Sequence, residues 1–211
     1  MIKEVIINTS SLLLVINFIC YFIKRKNHSF PIKIFTLYLF IMVIVQVSSS
    51  IMAKFKVNNL FLSHYYFVGQ FFLLSLFFRS ILQGKGITKI IDSIIILVLS
   101  SICIYYLIFP HNYFIFNNFE IAVTSIPLII YCFLFIVKKM EELDKKYFYI
   151  ISGMFIYITG STLLFSTGNI KLFSPMKKIV WLINSTLFII YHILVFIEWY
   201  KHFRKKPLLD K

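Results

Sequence analysis

Acid is what this chain has least of. Eight Asp and Glu stand against 22 Lys and Arg in 211 residues, for a formal net charge of +14. No apolar run carries the paired carboxylates that a membrane hydrolase would use as general acid and base. Cysteine is almost as rare. Cys20, Cys103 and Cys132 all lie in apolar runs, none forms a CxxC, and the count is odd. That excludes a disulfide framework and a zinc site, because a cysteine in such a setting packs as a small hydrophobe. GxSxG, HExxH and His/Asp clusters are missing too, so no catalytic residue, metal or cofactor is expected. The six glycines and five prolines serve mainly as punctuation between long apolar runs.

Those runs define the class. Hydrophobic residues make up 60% of the chain and the mean hydropathy is +0.87, where soluble domains sit near 45–50% apolar. A large positive charge in a soluble protein would suggest nucleic acid. Here the charges fall between the apolar runs, which points to orientation in a membrane and to no nucleic-acid partner. At the N-terminus, Lys3 and Glu4 precede an apolar run from Val5 to Ile23, and Lys24, Arg25 and Lys26 follow it. A cleaved signal peptide would carry its positive charges first. This arrangement predicts a retained first span.

Seven spans are expected, at 4–23, 33–53, 58–82, 87–109, 119–137, 147–167 and 178–199. Each is close to the roughly 20 residues that cross about 30 Å of hydrocarbon. Pro31, Gly84, Gly86, Pro110 and Pro175 punctuate them, one residue type for want of an N–H and the other for its conformational freedom. With alternating spans, sixteen of the 22 basic residues fall on the side of the C-terminus. The positive-inside rule then puts the N-terminus out and the C-terminus in. Trp181 and Trp199, eighteen residues apart, mark the two interfaces of the last span. The expected architecture is an all-α polytopic bundle of seven transmembrane helices, one membrane domain over residues 1–211 with the lipid bilayer as its solvent. The connections are too short to hold a soluble domain.

Polar side chains inside lipid are costly, so they face the bundle or a wet cavity. The residues singled out as ligand-binding candidates are His64, Tyr66, Gln70, Glu120, Asn184, Tyr191 and His192. Tyr66 and Gln70 are four apart and share a helix face. His64, Glu120, Ser166 and Asn184 belong to the outer half and would line one outward cavity. Asn184 and Gln70 serve equally well as hydrogen bonds between helices. Glu120 suits a helix N-terminus. Glu198 precedes Lys201 and His202 by three and four residues, and Asp92 follows Lys89 by three, so both read as ion pairs at the inner interface. Gly153 and Gly160, seven apart, predict a close-packing face on the sixth span. The basic tail KHFRKKPLLDK suits anionic headgroups or a cytoplasmic partner, besides anchoring topology.

A rhodopsin-type pigment is excluded, because its Schiff base needs a lysine midway along the last span and that place holds Phe188–Tyr191. Two stretches carry a resemblance. His64, Tyr66, Phe71 and Leu73–Phe78 form an HxYxxxxFxLLSLFF pattern, and Trp181, Asn184, Tyr191 and Trp199 a WxxN…Y…W pattern. These resemble small uncharacterised seven-span proteins of Bacteroidetes-type bacteria, over about a quarter of the chain. The resemblance implies a sensor or accessory subunit in a bacterial cytoplasmic membrane, with a signalling partner inside, and it names no ligand. The alternatives are a small-molecule or lipid transporter or channel, and a lysoplasmalogenase-like hydrolase, whose His-aromatic span FLSHYYFVGQFF faintly resembles.

Overall fold

The structure is a computed structural model. It describes residues 2–23, 28–114, 117–166 and 174–204, with the side chains of 2–4, 7 and 174–178 left aside. Every regular element among these residues is helical. The seven long helices are α1 (Ile2–Ile23), α2 (Phe30–Lys54), α3 (Leu62–Ile81), α4 (Lys85–Ile108), α5 (Asn118–Met140), α6 (Phe148–Ser166) and α7 (Ser174–Glu198). A short 3₁₀ helix, Pro110–Phe114, joins α4 to α5, and a π-helical turn, Trp199–Phe203, ends α7.

Their packing order is not their chain order. α1 packs on α2 and α7, α2 on α3, α3 on α5, α5 on α6, and α6 on α7. That closes a ring of six helices. α4 lies outside it, against α3 and α5. α4 buries a single stripe, Ile91, Ile95, Val98 and Ile102, spaced for one face of a 3.6-residue helix. Most of its remaining surface is apolar and exposed, as at Ile90, Leu97, Ile104 and Leu107.

The outer faces of the other helices look the same: Leu12, Phe40, Ile130, Phe133, Leu163 and Ile190 all point away from the protein. In water so continuous an apolar exterior would drive aggregation. Five helices are long and apolar enough to cross a membrane: α2, α4, α5, α6 and the Ile179–Phe203 segment of α7. Together these features make the protein an integral membrane protein. α1 offers a shorter apolar stretch, Asn8–Ile23. α3 is the most polar of the seven and the most enclosed, with His64, Gln70 and Ser75 buried beside six large apolar side chains. α4 covers the side it would otherwise turn to lipid.

The expected boundaries shift where local chemistry decides them. Residues 58–61 are a turn, so α3 starts at Leu62. Pro31 sits inside the first turn of α2 rather than before it, where its missing N–H costs nothing. Pro175 likewise lies within the first turn of α7. Pro127 is carried within a continuous α5. Gly84, with φ at +153°, turns the chain into α4. Gly153 and Gly160 both abut α7, against Leu194 and Leu187.

Candidate functional site

The ring encloses a cavity of about 270 Å³ at the end where α2 and α6 finish and α3 and α7 begin. Five of the six ring helices contribute. Ser10 comes from α1, Gln46 and Ser49 from α2, Tyr66 and Phe67 from α3, Tyr157 and Phe165 from α6, and Trp181, Asn184 and Phe188 from α7. The turn before α3 closes it with Asn59, whose amide donates to the Ser49 carbonyl at 3.1 Å and hydroxyl at 2.8 Å. Gln46 donates to Ser11 at 3.1 Å, tying α2 to α1. On another wall, Tyr66 and Tyr157 share a hydroxyl contact of 2.6 Å. Asn184 is different. Its Oδ1 is shut from solvent and has no hydrogen-bond partner.

Deeper in the ring polar groups reach across helices, while Asn17 Oδ1, the Tyr191 hydroxyl and His192 Nε2 stay buried without partners. Gln70 donates to the Tyr38 hydroxyl at 3.4 Å. Tyr191 stacks on Tyr157, with ring centroids 5.6 Å apart and planes 8° apart. Asn17 reaches from α1 to α7, with Nδ2 3.1 Å from His192 Nδ1 and 2.8 Å from the His192 carbonyl. Below them Tyr21 donates to the Val195 carbonyl at 3.1 Å.

A second polar cluster lies between α3, α4 and α5. His64 Nδ1 sits 2.6 Å from Glu120 Oε2, and Nε2 sits 2.7 Å from the Tyr113 carbonyl. A carbonyl only accepts, so Nε2 carries its proton. The Tyr106 hydroxyl donates to Glu120 and lies 2.9 Å from Nδ1. Asn117 orders the group: its Oδ1 accepts the Phe119 and Glu120 N–H groups at the start of α5, and its Nδ2 donates to Tyr106 at 3.1 Å. The ring of Tyr113 stacks on His64 at 4.8 Å. The Tyr113 hydroxyl is pushed up to about 12, first because it donates to Tyr65 and then because it is partly desolvated. The cluster pins the 3₁₀ helix and the start of α5 to α3.

The seven candidates therefore divide. Tyr66 and Asn184 line the cavity. Gln70, Tyr191 and His192 sit behind its wall, bonded or stacked on neighbours. His64 and Glu120 turn away from it and engage each other. The cavity is thus not shared by His64, Glu120 and Asn184, because α3 points His64 at α4 and α5 and Tyr66 into the ring. Ser166 bonds back to the Thr162 carbonyl at 2.7 Å and is not part of the lining. Tyr106, Asn117, Tyr157 and Asn59 were not among the candidates. Asn117 had a signal, since an Asn three residues before a Glu is a helix-start pattern. Tyr106 and Tyr157 had none.

The opposite end of the ring is built differently. Glu198, wholly buried, accepts the N–H groups of Tyr147 at 2.6 Å and Tyr149 at 3.0 Å, and so caps α6 from α7. His202 approaches it only to 3.8 Å, and Lys201 goes to the Tyr149 hydroxyl at 2.6 Å. The expected ion pair of Glu198 with Lys201 gives way to a helix cap, because buried N–H groups must be satisfied. Asp92 also takes another partner, Arg79 at 2.6 Å, in place of Lys89. Tyr147 holds φ at +69°, which costs a residue with a Cβ about 1–2 kcal/mol. Its ring is fixed against Phe77 and Phe203 and over-determines that conformation. The tail from Lys205 to Lys211, most of the basic terminus, lies outside the described residues.

No group of three or more His, Cys, Asp and Glu able to hold a metal occurs among the described residues. The chain matches no family model, no curated protein and no solved structure.

Proposed function

We propose that this is a seven-span protein of a bacterial cytoplasmic membrane, N-terminus out and C-terminus in, that binds a small molecule in the ring cavity from outside. It acts as a sensor or accessory subunit for a partner on the cytoplasmic side. The observation that carries the reading is the Asn184 Oδ1. Asn184 lines the cavity, and its buried acceptor without a partner costs free energy; a ligand's donor would satisfy it once the amide turns toward the space. Catalysis fits less well: among the described residues no cavity-lining side chain carries a charge, and the His64–Glu120 pair faces elsewhere. α7 supplies the coupling. One continuous helix carries Asn184 at the cavity and Glu198 at the far end, where Lys145, Lys146 and Lys201 lie over the rings of Phe148, Tyr147 and Tyr149 at the α6 cap.

Native mass spectrometry of the protein released from detergent tests the binding. Wild type is expected to retain a discrete small mass and Asn184→Leu to lose it, with little change in stability, because Asn184 Oδ1 holds nothing in the fold. An occupant retained equally by both proteins would remove the site assignment. For orientation, single cysteines at Asn112 and Glu142 in a chain without its native cysteines are exposed to an impermeant maleimide. Labelling of intact cells at 142 and not at 112 would reverse the topology.

A further inference from the structure

The lining of the cavity goes further than the presence of a ligand. The chain carries a net +14, yet among the described residues none of the sixteen around this space is Lys, Arg, His, Asp or Glu. An ionised ligand would leave water and meet no countercharge, which low-dielectric surroundings penalise heavily. The wall has two chemistries. Phe67, Phe165 and Trp181 form a chain of edge contacts, with centroids 5.7 and 6.3 Å apart. Across from them stand three amides, Gln46, Asn59 and Asn184, with serine and tyrosine hydroxyls. A flat hydrocarbon with one polar atom would satisfy the first wall and strand most of the second. A polyhydroxylated ring satisfies both, since its hydroxyls radiate from the edge and its C–H faces are apolar. About 270 Å³ lies just under the range of roughly 300–1,000 Å³ for drug-sized ligands, so a single ring is the right scale.

We propose that the cavity takes an uncharged monosaccharide-type ring, either a free neutral sugar or the headgroup of a glycolipid. This rests on the ligand-binding reading above. The Asn184 amide, turned toward the space, accepts one ring hydroxyl, the Tyr66–Tyr157 pair offers its spare proton to another, and Trp181 covers a face of the ring.

Trp181 is also the reporter. Trp199 lies at the other end of α7, packs on Phe196 and leaves Nε1 without a partner, so Trp199→Phe strands nothing and makes Trp181 the single tryptophan. The full chain carrying Trp199→Phe, in phosphatidylcholine nanodiscs to avoid sugar detergents, is titrated with methyl β-D-glucoside, glucuronate and glucosamine. Octyl β-D-glucoside is a fourth ligand. The neutral ring is expected to shift Trp181 emission saturably, with the carboxylate and ammonium forms roughly tenfold or more weaker. Adding Asn184→Leu is expected to abolish the response. A response to octyl glucoside alone assigns the ring to a lipid; an equal response to both glucosides assigns it to a free solute. Charged rings binding as well as the neutral one would overturn the proposal, and this arm needs no cavity variant. Silence from all four would overturn it too. The native mass spectrum then separates the two failures: a retained occupant of another class leaves the binding site standing, and no occupant removes both.

Discussion

Two polar clusters meet at the same end of this bundle and behave in opposite ways. Between α3, α4 and α5, His64, Tyr106, Asn117 and Glu120 engage one another closely, and they hold the cluster's one acid. Inside the ring, Asn184 and its neighbours are uncharged and surround open space; each cluster leaves one buried acceptor unused, Asn184 Oδ1 here and Glu120 Oε1 there. Only Tyr65 separates His64 from Tyr66 on α3. The difference teaches how a membrane bundle sorts polar groups. A charge is tolerated where several partners close on it, and the open space is lined by uncharged groups.

Removing a member of the closed cluster should therefore hurt most. Glu120→Ala leaves His64 and Tyr106 buried without their acceptor and is expected to destabilise the fold by about 4 kcal/mol, the scale for breaking a buried pair. Unfolding in mixed micelles measures it, and a loss comparable to Asn184→Leu would erase the contrast between the clusters. Glu198→Ala at the opposite end frees two N–H groups of α6 and should cost about 3 kcal/mol, since hydrogen bonds to a charged group are the stronger kind. Hydrogen exchange should locate that loss in the first turn of α6.

The two glycines of α6 sharpen the comparison at smaller scale. A Cβ at Gly160 would come 2.5 Å from Leu187 Cδ1, and one at Gly153 3.1–3.3 Å from Tyr191 Cδ2, Leu194 Cβ and Leu194 Cδ1. The shorter contact is the cheaper one, because Leu187 Cδ1 ends a flexible side chain while Leu194 Cβ is fixed to the α7 backbone. Gly153→Ala is expected to cost about 2 kcal/mol and Gly160→Ala about 1; the reverse order in thermal melts would show that α7 moves as a body. At the bottom of the scale, Arg79→Ala removes an exposed pair with Asp92 and should leave the melting temperature within scatter.

Part of the site was legible early. Tyr66 and Asn184 stood out as polar residues in apolar runs, and both line the cavity. His64 and Glu120 stood out for the same reason and face elsewhere, because a helix turns its residues through 100° steps and a polar letter carries no azimuth without its neighbours. Tyr157 was invisible, being one aromatic among many in an apolar run. Its role exists only because α6 sets its hydroxyl 2.6 Å from that of Tyr66, ninety-one residues away in sequence.

What the sequence by itself determined is the solvent and the building block. Long apolar runs with few acids can bury their backbone in lipid only as helices, each satisfying its own N–H and C=O groups. What the tertiary structure alone decided is the closure of six helices into a ring with α4 outside. Which side chains meet inside that ring, and which buried acceptors are left without a partner, follows from it. Closure depends on contacts between α1 and α7, the two ends of the described chain, and helix-to-helix packing of that range depends on shape matched in three dimensions, which no local pattern of residues encodes.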